Sequence, residues 1–327
     1  MHKVWFERAL PAEHAHLLAG LAEVAGPASA TPENPLAVVG EADAIVASAR
    51  IRYDAALMDR APRLRVIART GVGYDNVIVP DATARGIAAC YTPDAPTIAT
   101  SEHAMALLLA TVKHLKRSNQ SMLRGDKSDY LNDFSGMELY QHRLGLVGLG
   151  RIGGRVAQMA KALGMFVSAY DPFVTPARGA ELGVELVSPL EALLGSCDVV
   201  SLHVPLGPQT RHMIDDQRLA QMKPGAYLIN AARGGLVDET ALLAALESGR
   251  LAGAGLDVFD PEPPPPDHSL LSRGDVICTP HVGGATLEGR RRIWEGAIAQ
   301  VLQVLRGERP PHLLNPEVWE KRRLTAG

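Results

Sequence analysis

Gly145-Leu146-Val147-Gly148-Leu149-Gly150-Arg151-Ile152-Gly153 is the stretch on which the fold of this chain turns. Its apolar start reads as a buried strand, and the GxGxxG spacing then puts side-chain-free residues where a strand passes into a helix, expected over residues 155–163. Gly148 and Gly150 let the backbone turn tightly and approach a pyrophosphate, which the helix amino-terminal N–H groups hold. Taken alone the glycine pattern is weak. Asp171 strengthens it, because it closes the next strand about 18 residues beyond Gly153, where a carboxylate accepts from ribose hydroxyls and repels a 2′-phosphate. NAD is therefore expected rather than NADP. Asp171 stands before Pro172 and can equally cap a turn, and Arg178 is near enough in sequence to leave some NADP use open.

Outward from this motif, apolar runs at residues 144–147, 166–170, 199–202, 226–229, 253–256 and 276–278 alternate with helix-like segments. Six strands with helical crossovers make a dinucleotide-binding sheet. Before the motif, runs at 44–47, 64–68 and 86–90 repeat the alternation and predict a second parallel sheet. A long helix is expected over residues 101–123, capped by Thr100 or Ser101, with Glu102 near the positive end of its dipole. Residues 125–141 read as a connection, and the proline cluster 261–266 as a surface loop. A last helix, 287–305, can return to the first domain.

The chain has 327 residues, so two domains of roughly 100–200 residues each are expected. Hydrophobic residues make up 46%, charged residues 21%, and the net charge is -3. That balance gives no electrostatic ground for a nucleic acid or an anionic membrane as partner, and a small molecule is expected instead. Cys90, Cys197 and Cys278 show no metal-ligand spacing, and no metal is expected. The early charges in Met1-His2-Lys3-Val4-Trp5-Phe6-Glu7-Arg8 argue against a signal peptide, and the best apolar run, 104–112, is too short to span a bilayer. The expected compartment is the reducing cytoplasm.

Three segments at strand ends carry complementary polar groups: Asn230-Ala231-Ala232-Arg233, Asp257 through Glu262, and Thr279-Pro280-His281-Val282-Gly283-Gly284. An arginine offers a planar fork to a carboxylate, and a histidine is an acid or base near neutral pH. A glutamate beside that histidine orients the ring and favours its protonated form. The set suits hydride transfer at a carbon bearing a hydroxyl or ketone, with His281 moving the oxygen-bound proton. Taken singly, Arg233 can be an ion-pair residue, Glu262 a solvated charge and His281 a satisfied buried imidazole. Asp257 is ambiguous on its chemistry. His103 sits inside a helix pattern, His203 precedes Pro205, and His268 lies in the proline-rich loop, so these are weaker candidates.

Taken together, the motifs resemble the D-isomer-specific 2-hydroxyacid dehydrogenase family, which includes phosphoglycerate dehydrogenases and glyoxylate/hydroxypyruvate reductases. The resemblance rests on Gly71-Val72-Gly73-Tyr74-Asp75-Asn76, Ser101-Glu102-His103-Ala104, the glycine loop, Leu202-His203-Val204-Pro205-Leu206, Met222-Lys223-Pro224-Gly225, the Arg233 segment, Leu256-Asp257-Val258-Phe259 and Pro280-His281. It implies two Rossmann-like α/β domains with parallel sheets. One is a discontinuous, flavodoxin-like substrate domain of residues 1–99 and 289–327; the other is a NAD domain of residues 100–288. By resemblance Arg233 orients the substrate, Glu262 partners the histidine and His281 is the acid–base group. Against NAD it places Thr100, Gly148, Gly150, Arg151, Ile152, Gly153, Asp171, His203, Pro205, Ala231, Arg233, Asp257, His281 and Gly284, with Asp257 on the carboxamide.

Val72 and Gly73 would give N–H groups to the substrate carboxylate. Arg69 aligns with an arginine that in some members contacts a substrate phosphate, and it can equally pair with an acidic neighbour. The implied activity is NAD-dependent interconversion of a D-2-hydroxyacid and a 2-keto acid such as hydroxypyruvate, glyoxylate or the 3-phosphoglycerate pair, in a homodimer. Glu262 stands where formate dehydrogenases have glutamine, which disfavours formate. The segment Leu139-Tyr140-Gln141-His142-Arg143 departs from the family's glycine-lysine before the strand. With no regulatory domain after Arg323, the long serine-regulated kind is not expected. The alternative function is a NAD-sensing, corepressor-like binding protein on the same fold.

Overall fold

The structure, a computed structural model, describes residues 1–26, 36–126 and 129–323. Residues 127–128 of the expected connection and 324–327 of the expected returning segment lie outside the described residues. The chain packs as two units, Met1–Pro96 with Thr286–Gly327, and Thr97–Ala285.

In the first unit β1 (His2–Phe6), β2 (Ala22–Val24), β3 (Ala44–Ala47), β4 (Val66–Arg69) and β5 (Ala88–Tyr91) form one parallel sheet of order β2-β1-β3-β4-β5. This is the flavodoxin-like order. β1 and β2 are additions to the three expected strands. β1 opens on His2 and Lys3, yet Val4, Trp5 and Phe6 are wholly buried because the strand lies inside the sheet. β2 is an edge strand of three residues, too short for an alternation to show. Apolar cores cover both faces, as a doubly wound parallel sheet requires. The helix Leu287–Leu305 closes one of them with Ala297, Ile298, Val301, Val304 and Leu305, one stripe of its surface.

The second unit contains β6 (Arg143–Val147), β7 (Phe166–Tyr170), β8 (Glu185–Leu186), β9 (Val199–Leu202), β10 (Ala226–Asn230), β11 (Leu251–Leu256) and β12 (Val276–Cys278). All pair parallel in the order β12-β11-β10-β9-β6-β7-β8. The six expected strands are present, and the two-residue edge strand β8 is a seventh. Strand order reverses between β6 and β9. The crevice beyond their carboxyl ends is the switch point at which such sheets bind ligands.

Two helix expectations need correction. The helix after β6 spans Arg151–Ala162 and starts earlier than expected, because Gly150 is its amino-terminal cap. The long helix of residues 101–123 is two helices, Thr97–Val112 and Leu115–Arg124, broken where His114 takes a left-handed φ of 50°. Thr100 and Ser101 are therefore interior rather than capping residues, and Ser101 Oγ donates back to Ile98 O at 3.1 Å. The Thr97–Val112 helix lies close against β11, where a Cβ on Gly255 would meet Thr111 Oγ1 at 2.9 Å.

Candidate active site

The glycine loop turns from β6 into the Arg151–Ala162 helix at the switch point. Gly148 has φ +96°, a left-handed conformation, and a Cβ there would sit 2.7 Å from His203 O. A Cβ on Gly153 would lie 2.2 Å from Gly148 O. The loop therefore folds tightly on itself and against the segment after β9. At Gly150 a Cβ would meet no heavy atom within 4 Å, so its surface is open to a ligand beside the helix amino terminus. Asp171 Oδ2 accepts from Leu149 N at 2.8 Å and Oδ1 from Phe173 N at 3.0 Å. Each oxygen keeps a lone pair for a further donor such as a hydroxyl. Arg178 is engaged with Glu181 at 2.7 Å. These residues fit a dinucleotide: an open glycine face at a helix amino terminus, and a carboxylate at the end of the next strand.

His203 follows β9 and is half-buried. Its Nε2 is 2.9 Å from Ser201 Oγ, and burial pushes its pKa from 6.5 down to about 4. It is therefore neutral at physiological pH. The unfolded chain takes up this proton near 6.5 and the folded chain resists until about 4, so stability is whole above that window and is lost as pH falls through it. The loss should reach about 3 kcal/mol at pH 4. The acid-induced fall in Tm should be smaller in His203→Gln than in wild type between these pH values; equal falls would contradict the assignment.

At the carboxyl ends of β10, β11 and β12 the three polar segments stand side by side. Asn230, 1% exposed, shapes the first: its Nδ2 donates to Arg233 O at 2.8 Å and its Oδ1 accepts from Ala232 N at 3.1 Å. Gly234 then lets this turn press on the segment after β11, since a Cβ there would overlap Phe259 C at 2.0 Å. Glu262 Oε1 meets His281 Nδ1 at 2.7 Å, and both side chains are more than a third exposed. The pairing holds one ring nitrogen and leaves Nε2 for a reactant.

Two carboxylates, Asp257 buried and Glu239 half-buried, hold the segments that carry this pair. Asp257 is 1% exposed; its carbonyl accepts from His281 N at 2.7 Å, and its side chain accepts from Val282 N at 2.9 Å, Gly283 N at 2.8 Å and Thr279 Oγ1 at 2.6 Å. Burial acts to raise the Asp257 carboxyl, yet hydrogen bonds from His103, Thr279, Val282 and Gly283 outweigh it and hold the group below its ordinary value. Glu239 braces the proline-rich loop, accepting from Asp260 N at 2.9 Å and pairing with His268 Nε2 at 2.9 Å, while Asp260 pairs with Arg211 at 2.8 Å. Burial pushes the Glu239 carboxyl up.

Of the expected site residues, the structure brings together His281 with Glu262, Asp257 with the His281 turn, and Gly148 and Gly153 with the His203 segment. Thr100 Cγ2 is 3.5 Å from the Cβ position of Gly283, beside the same turn. Arg151 and Ile152 open the helix after the glycine loop, and Ala231 and Gly284 adjoin the Arg233 and His281 segments. Pro205 follows β9, with its carbonyl accepting from Thr210 Oγ1 at 2.8 Å. Arg69, Val72 and Gly73 belong to the other unit, after β4. Arg69 is 7% exposed, with Nε on Asn76 Oδ1 at 3.3 Å. The weak candidates His103 and His268 prove to be parts of the carboxylate braces; their partners are distant in sequence, and only the strand-end position of Asp257 and Thr279 was a signal, for His103.

Comparison with known proteins agrees with this arrangement. Residues 105–283 match the model of the D-isomer specific 2-hydroxyacid dehydrogenase, NAD binding domain. A D-3-phosphoglycerate dehydrogenase of Mycobacterium tuberculosis is 44% identical over 280 residues, 86% of this chain and 52% of that protein. A glyoxylate reductase of Korarchaeum cryptofilum is 42% identical over 286 residues, 87% of this chain and 86% of that protein. A D-lactate dehydrogenase structure from Aquifex aeolicus, complexed with NAD and lactic acid, superposes with a TM-score of 0.83 at 30% identity, covering 96% and 99% of the two chains. The chain spans about half the length of the phosphoglycerate dehydrogenases it matches. With its dinucleotide-type sheet, its glycine loop and its paired glutamate and histidine, the chain belongs to the D-isomer-specific 2-hydroxyacid dehydrogenase family.

Proposed function

We propose that this protein is a NAD-dependent D-2-hydroxyacid dehydrogenase that reduces a small 2-keto acid. The observation that carries the reading is the 2.7 Å pair of His281 Nδ1 and Glu262 Oε1, at the end of the sheet whose glycine loop fits a dinucleotide. A bound nicotinamide supplies or accepts the hydride. In reduction, His281 gives the proton on Nε2 to the carbonyl oxygen, and in oxidation it takes the hydroxyl proton back. Glu262 stabilises the imidazolium and keeps the ring oriented. Arg233 presents its fork to the substrate's carboxylate and keto oxygens. Val72 and Gly73 keep the role that the resemblance gives them, as N–H donors to the carboxylate.

Asp171 favours NAD, since its carboxylate repels a 2′-phosphate and Arg178 is already paired with Glu181. The burial of Arg69 on Asn76 favours hydroxypyruvate or glyoxylate over the phosphorylated substrate. The reading includes a cytoplasmic homodimer; among the described residues no helix is long and apolar enough to cross a membrane. The relatives named above are dehydrogenases and reductases, which favours the enzyme over the NAD-sensing binding protein. Turnover of NADH and NADPH with glyoxylate, hydroxypyruvate, pyruvate and phosphohydroxypyruvate tests the reading. NADH should be preferred and the unphosphorylated acids turned over faster. A strong NADPH preference would sink the role of Asp171, and preference for the phosphorylated acid would sink that of Arg69.

A further inference from the structure

His103 takes no part in the reaction described above, yet its ring is built into the support of the reacting histidine. His281 has φ 53°, a left-handed conformation that costs a histidine more than it would glycine or asparagine and that persists where its surroundings enforce it. The enforcing bonds converge on Asp257: its carbonyl holds His281 N, and its carboxylate holds Val282 N and Gly283 N. A charged carboxylate that is 1% exposed needs its remaining lone pairs filled.

Thr279 Oγ1 fills one at 2.6 Å, and His103 Nε2 stands 3.2 Å from Oδ1 and 3.0 Å from Thr279 Oγ1. Because the Thr279 hydroxyl proton is spent on Asp257, the Thr279 oxygen can only accept from His103. Both neighbours therefore call for a hydrogen on His103 Nε2. The Cβ position of Gly283 is 3.0 Å from Asp257 Oδ2 and 3.6 Å from His103 Cδ2, so carboxylate and imidazole together form the seat of the turn. The helix Thr97–Val112, packed along β11, supplies His103 from a fixed element.

We propose that His103 is a positioning residue for His281, completing the donor set on Asp257 and through that carboxylate holding the 281–283 turn in its left-handed form. Only the kinetic readout of this inference rests on the function proposed above. The test compares His103→Leu, which removes the donor, with His103→Gln, which keeps one, in the full chain without cofactor. Amide hydrogen exchange at Val282 and Gly283 should be about tenfold or more faster in His103→Leu and near wild type in His103→Gln. Turnover of the keto acid should fall in the first variant and be restored in the second.

Wild-type exchange rates in His103→Leu, or equally fast exchange in both variants, would overturn the proposal. If wild type turns over no keto acid, the proposed function fails while exchange still decides the role of His103. Should the leucine variant not fold, nitrogen NMR of the wild-type imidazole decides: a protonated Nε2 supports the proposal, and an unprotonated one overturns it.

Discussion

His281→Asn should lower kcat for keto-acid reduction by roughly 10² or more, while NADH binds as before. Asparagine suits this test because of the backbone: at φ 53° it is among the few residues that occupy the left-handed region at little cost. The turn held by Asp257 is thus kept, and what disappears is the imidazole. Asparagine cannot exchange a proton near neutral pH, so the carbonyl oxygen must draw its proton from water. Glu262, at 2.7 Å from Nδ1 in the wild type, loses the group it stabilises. Steady-state kinetics with a fluorescence titration of NADH separates the two effects. Unchanged turnover would contradict the assignment of His281, and loss of NADH binding with unchanged turnover at saturation would move its role to the cofactor.

Removing the Asp257 carboxylate has the largest expected effect on stability. In Asp257→Ala the N–H groups of Val282 and Gly283, the Thr279 hydroxyl and the His103 ring all lose an acceptor. Leaving several such groups unmet in a buried place costs about 3–5 kcal/mol. For a unit of this size the Tm should fall by on the order of 10 °C. Activity should fall further than the population of unfolded protein explains, because the His281 turn loses its support in molecules that remain folded. The carboxylate lies below its ordinary pKa in the folded state, so its contribution is present above the unfolded value, near 3.8, and is lost as pH falls below it. Circular dichroism melts near neutral pH check the first expectation. A Tm within a degree or two of wild type would show that Asp257 is not the clamp.

The legible parts of this molecule were those encoded within a short span. GxGxxG after an apolar run fixes a strand, a turn and a helix within one segment, and Asp171 follows at the interval that one βαβ unit imposes. The Arg233, Glu262 and His281 segments were legible because each ends a recognisable strand of the same sheet. β1 was hidden because its first residues are polar while its last three are the buried ones. β2 and β8 were hidden because three and two residues carry no periodicity. His103 was set aside because its position fits a helix interior, and its partner Thr279 lies 176 residues away. A side chain that serves a distant turn leaves no local mark. The glutamate brace left no local mark for the same reason, since Glu239 and Asp260 meet across 21 residues.

The central claim is hydride transfer to a 2-keto acid with His281 supplying the proton, and its most direct test is the configuration of the product. Purified protein incubated with NADH and hydroxypyruvate should yield glycerate that a chiral separation resolves as the D-isomer, with about a hundredth as much or less formed by His281→Asn on the same timescale. L-glycerate, or no 2-hydroxyacid from any keto acid of the panel, would contradict the account.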